Sequence, residues 1–90
     1  MAKVYTIISN RRNYGRGDST SEFTGTIPEL VDDFKYTLDC GDSWSHESGN
    51  SKINTNPKTI KSLVSNLNKA ERNSAANGNP RNYYELKNEG

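Results

Sequence analysis

The stretch NPKTIKSLVSNLNKA, residues 56–70, decides the fold class. Ile60, Leu63, Val64 and Leu67 recur at i, i+3, i+4 and i+7, which is the spacing of one helix face. Asn56 has the right chemistry to cap that helix, and Pro57 suits its first position, where a missing N–H costs nothing. The pattern fades near Arg72 into SAANGNP, where Gly78 and Pro80 forbid continuation. A helix with so narrow an apolar stripe needs a second layer to cover it.

The flanking segments supply that layer. Downstream, NYYELK (82–87) alternates Tyr83, Glu85 and Lys87 with Tyr84 and Leu86 and reads as a strand. Upstream, KVYTIIS (3–9) is rich in β-branched and aromatic residues, and EFTGT (22–26) reads as a short second strand. TIPE then opens a first helix over 27–40. Thr26 stands three residues before Glu29 as a capping box, and Ile27, Leu30, Val31, Phe34 and Leu38 keep helical spacing. Gly41 is expected to close it as a left-handed cap. Residues 41–56 read as a polar loop, with Trp44 as its expected anchor. The order β–(β)–α–α–β predicts one α+β domain over residues 1–90. Its form is a small antiparallel sheet of two to three strands with two helices packed on one face.

Ninety residues with 30% hydrophobic content and a mean hydropathy of −1.00 leave a thin core. Cys40 is the only cysteine, so an internal disulfide is excluded, and pairing of subunits becomes the expected supplement. The lone cysteine, the absence of an Asn-x-Ser/Thr sequon, an N-terminus unlike a secretory signal and the lack of a membrane-length apolar run predict a cytoplasmic protein without membrane contact.

The net charge of +1 conceals three blocks. Residues 1–17 carry Lys3, Arg11, Arg12 and Arg16 with no acid, for +4. Residues 18–47 hold eight acids against Lys35, for −7, and residues 48–90 return to +4. A near-neutral total argues against direct DNA or RNA binding, yet leaves room for capture of a small anion.

Two segments suit an anion. SNRRNYGRGDST (9–20) places Arg11, Arg12, Asn13, Tyr14 and Arg16 in a glycine-opened loop. Arginine grips phosphate in bidentate fashion, and tyrosine stacks on a base. The spacing is neither a Walker loop nor a dinucleotide fingerprint. The second segment is the start of the 56–72 helix, where Asn56, Lys58, Thr59 and Lys61 surround the positive end of the helix dipole. Tyr14 or Trp44 is expected to stack on a base. Asp39, Cys40, Asp42 and His46 match no metal-ligand spacing, and neither Cys40 nor any serine has a visible base and orienting partner. Hence no metal, no cofactor and no enzymatic activity are expected.

The blocks YTLDCGDSW, KINTNPKTIKSLVSNLNKA and NYYEL resemble a family of short proteins from tailed bacteriophages and related mobile elements. The likeness spans about residues 28–86 and rests mainly on NPKTIKSLVSNLNK. It implies a phage setting in the host cytoplasm, in which small non-enzymatic proteins act against host defence. Two functions fit. One is sequestration of a small phosphorylated or nucleotide-type ligand by a homo-oligomer. The alternative is an anti-CRISPR or anti-restriction type of inhibitor, docking Glu29, Asp32, Asp33 and Asp39 of an acidic helix onto a nucleic-acid-binding host defence enzyme.

Overall fold

A computed structural model describes residues 3–12, 17–47, 49–75 and 80–88, in the order β1 (Tyr5–Arg11), β2 (Ser19–Gly25), α1 (Ile27–Asp33), α2 (Lys35–Ser43), α3 (Ile60–Ser74) and β3 (Asn82–Asn88). The three strands form one antiparallel sheet in the order β2-β1-β3. The α+β architecture expected from the sequence is present. β1 and β2 are a hairpin paired without interruption from Tyr5↔Gly25 to Arg11↔Ser19. β1 and β3 pair from Arg11↔Asn82 to Thr6↔Asn88, with a register irregularity at Thr6/Ile7.

Alternation along the strands splits the sheet into two faces. Ile7, Phe23, Tyr84 and Leu86 turn toward the helices, where Leu30, Phe34, Leu38, Leu63 and Leu67 meet them. Phe34 is the hub, with ring centroids 4.8 Å from Phe23 and 5.4 Å from Tyr84, both edge-on. The other face carries Thr6, Glu22, Thr24 and Lys87, with Lys87 Nζ 3.0 Å from Glu22 Oε2 and the two threonine hydroxyls 2.9 Å apart.

Four expectations are corrected. The first helix is two, broken at Phe34 (φ −103°, ψ 13°). Phe34 must keep its ring between Phe23 and Tyr84, and the break turns the axis so that Leu38 and Gly41 lie against α3. Gly41 is therefore no left-handed cap. It is buried inside α2, and a Cβ there would stand 2.3 Å from Ala70 Cβ. Its smallness permits the close crossing of α2 and α3.

The N-cap of α3 is Thr59, whose Oγ1 accepts from the Ser62 amide at 3.1 Å, and not Asn56. Asn54 Oδ1 instead accepts from the Asn56 amide at 3.0 Å, which makes a turn, and Pro57 is fully buried as a plug rather than a first helical residue. Finally, Trp44 does not anchor the 41–56 loop. It ends α2 half exposed, at 50%, while Ile53 at 3% supplies the apolar anchor.

Polar side chains complete what the thin core leaves open. Asn73 Nδ2 donates to Gly41 O (3.1 Å) and Ser51 O (2.6 Å), and Asn66 Oδ1 accepts from the Asn54 amide (2.8 Å). Asn68 exchanges two bonds with the backbone of Tyr84, donating to its carbonyl (3.0 Å) and accepting from its amide (2.8 Å).

Candidate functional site

α3 lies along β3 and runs in the same direction as β1. The start of α3 lies beside Tyr5, and its second half lies beside the start of β3, where Asn68 bonds Tyr84 and Glu71 accepts from Asn82. Arg11 and the start of α3 therefore sit at opposite ends of β1. Six residue steps of extended chain separate them, about 20 Å. One phosphate group cannot touch both.

At the arginine end, Arg11 closes β1 in an exposed position opposite Ser19 and Asn82. The Arg12 amide donates to Arg81 O at 2.8 Å, and its guanidinium lies 5.0 Å over the Tyr83 ring. Tyr83 Oη donates in turn to Asp18 Oδ2 at 3.4 Å. Arg12 is thus already stacked on a ring of its own chain. Asn13, Tyr14 and Arg16 lie outside the described residues.

The start of α3 is concave. A hollow of about 570 Å³ is bounded by Ile27, Pro28, Val31, Asp32, Lys35, Asn56, Pro57 and Lys58. A second, of about 400 Å³, adjoins it through Ile27 and Lys58 and adds Lys3, Tyr5, Thr59, Ile60 and Lys61. Together they form one groove of ligand size. Its floor is apolar, from Ile27, Val31, Pro57 and Ile60. Its rim holds Lys3, Lys35, Lys58 and Lys61 against Asp32. Lys3 Nζ sits 5.7 Å over the Tyr5 ring, and Lys35 reaches Asp39 at 3.9 Å. The positive end of the α3 dipole points into the same place. Of the expected contacts, Asn56, Lys58, Thr59 and Lys61 come together here. Trp44 does not, since it lines a separate hollow with Arg72 and Asn73 toward the end of α3.

Lys3, Tyr5 and Lys35 were not singled out by the sequence, because nothing local in a strand or an acidic helix marks them as neighbours of Lys58. The α3 asparagines had a legible signal. Asn66 and Asn73 stand seven residues apart and interrupt the apolar stripe, and both are buried.

The remaining volumes and titratable groups are less suited to a ligand. The hollow beside Asp42, Lys52, Asn54, Asn66 and Lys69 has about 670 Å³, but its polar floor is spent on the Asn66–Asn54 and Asn66–Ser62 bonds. Burial pushes the Glu71 carboxyl above its usual range, against hydrogen bonds from Asn82 and Tyr84 that pull it down. Burial, with the Glu71 charge beside it, also raises Tyr84 to about 12. These two side chains join α3 to β3 and line none of the hollows described. Asp39, Cys40, Asp42 and His46 do not converge, and among the described residues no three His, Cys, Asp or Glu side chains form a metal-binding group. Nor, among those residues, is any helix long and apolar enough to cross a membrane.

Comparison with protein-family models, with curated proteins and with solved structures finds no match to this chain.

Proposed function

We propose that the protein is a non-enzymatic binder of a small phosphorylated or nucleotide-type ligand, held in the groove at the start of α3. The observation that carries this reading is the lysine rim, Lys3, Lys35, Lys58 and Lys61, over an apolar floor at the positive end of a fifteen-residue helix. The lysines and the helix end would take the phosphates, and the apolar wall with Tyr5 would take a base or ribose. In the cytoplasmic phage setting implied by the resemblance, such binding would act by sequestering a host signal.

The test is thermal-shift screening against mono-, di- and cyclic nucleotides, beside mass spectrometry of small molecules released by denaturing the protein. A ligand at a hundred times its dissociation constant stabilises by about 2.7 kcal/mol through mass action. Lys58→Glu, which touches both halves of the groove, should remove the shift, while Arg11→Ala with Arg12→Ala should leave it. A shift lost with the arginines and kept by Lys58→Glu would move the site to the other end of β1. No shift with any nucleotide, and no released ligand, would refute the reading.

The inhibitor reading keeps one observation in its favour, the exposure of Asp32 and Asp33 on α1. Glu29 is less available to it, because its carboxylate accepts from the Thr26 amide at 2.8 Å. Capture of a host enzyme that is lost with Asp32→Asn and Asp33→Asn would favour that alternative.

A further inference from the structure

A three-stranded sheet has two edges, and here they differ. The outer edge of β3 is blocked at Tyr84, where the Asn68 amide makes the two bonds that a neighbouring strand would make. Irregular register at Thr6/Ile7 disturbs its far half, and Lys87 adds a charge. β2 has neither the asparagine clamp nor the irregularity, and its one charge, Glu22, is paired with Lys87. Its seven residues, STSEFTG, contain no proline or lysine and pair with β1 in unbroken register. Ser19 to Glu22 and Thr24 are exposed, and among the described residues no element pairs with the outer side of β2.

The flank of α1 above that edge is acidic. Ile27, Pro28, Val31 and Asp32 of α1, with Lys35 at the start of α2, line the side that faces Pro57 and the start of α3. The helical positions on the other flank are Glu29 and Asp33, and Glu29 Cβ lies against Gly25 of β2. At the far end of the same hairpin, Arg11 shares the helix-side face with Ile7, two steps of alternation away. A two-fold axis perpendicular to the sheet brings the arginine end of one copy beside the acidic end of the next.

We propose that β2 is a self-pairing edge. Two copies join β2 to β2, antiparallel about a two-fold axis at Phe23, into a six-stranded sheet in which Arg11 of each faces Asp33 of the other. This register sets Glu22 opposite Thr24 rather than opposite a second glutamate, and lays the two half-buried Phe23 rings together. Ser19 then faces the first residue of α1 in the second copy. Arg11 is two strand spacings, about 10 Å, from that helix start, at the acidic end of the second copy. The lysine-rimmed groove lies on the opposite flank of α1, so pairing leaves it open, and the proposal does not depend on the ligand.

Sedimentation equilibrium at high micromolar concentration tests it. The wild type should show twice the 10.1 kDa chain mass. Thr24→Pro, which removes an outward-pointing N–H and keeps the hydrogen bonds to β1, should remove the dimer with far-UV circular dichroism unchanged. Because that variant risks misfolding, charge exchange gives an independent measurement. Arg11→Glu and Asp33→Arg should each weaken self-association by about ten-fold or more, since each places like charges together twice. Mixed in equal amounts they should form a heterodimer of wild-type strength, in which both contacts again join opposite charges. A monomeric wild type would overturn the proposal. So would charge variants that associate as the wild type does, or a mixture that does not recover.

Discussion

Gly41→Ala tests the packing of the two longest helices at one atom. The new Cβ would lie 2.3 Å from Ala70 Cβ and 2.4 Å from Ala70 Cα, where carbon atoms normally stand about 3.5–4.0 Å apart. The obstacle is backbone, so no rotamer change relieves it, and α2 must move away from α3 by more than an ångström. Overpacking of this kind costs about 1–3 kcal/mol, and this contact belongs at the upper end. Alanine returns about 1 kcal/mol in helix propensity. The net loss is about 2 kcal/mol, which lowers the melting temperature of a domain this size by about 8–16 °C. Urea and thermal unfolding followed by circular dichroism measure it. Ala70→Gly in the same chain should recover part of the loss, so the two changes couple in a double-mutant cycle. A Gly41→Ala protein as stable as the wild type, with propensity prevailing, would show that α2 and α3 do not cross at this point.

Asn73→Ala should destabilise by about 1–3 kcal/mol in urea unfolding, because it leaves the Gly41 and Ser51 carbonyls without a donor. Thr26→Ala should remove the capping box and cost about 1 kcal/mol, read the same way. Glu71 gives a pH signature. Its folded pKa is raised above 4.5, so the folded chain holds more proton than the unfolded one across that interval. Stability contributed by the protonated form is therefore lost as pH climbs from about 4.5 through the folded value, and Glu71→Gln should flatten that part of the melting profile.

The elements that carry their own signal were readable from the chain. The α3 stripe, the Thr26–Glu29 capping box and the alternation in NYYEL all correspond to real features, because each depends on neighbours within a turn or a pleat. What escaped depends on contacts across the fold. Gly41 after an apolar run has the pattern of a helix stop, and only the presence of Ala70 opposite makes it a helix interior residue. Asn56 and Thr59 are both competent caps, and the choice falls to Thr59 once Asn54 holds the Asn56 amide and Pro57 is drawn into the core. The site shows the same division. Lys58, Thr59 and Lys61 were visible as the start of a helix, whereas Lys3, Tyr5 and Lys35 join them only through the course of β1 and of the α1–α2 pair. Arg11 stands apart from that site for a plain reason, the length of β1.

The asparagines of α3 bear on how this chain responds to temperature. Asn66 and Asn73 tie down the connection between α2 and α3 with amide bonds where another protein of this size would spend leucines. Unfolding then exposes much polar and little apolar surface, and polar exposure lowers the heat-capacity change that apolar exposure raises. The stability curve should accordingly be shallow and broad. Such a domain loses little of its hold on cooling, since less of it rests on a hydrophobic drive that fades toward freezing.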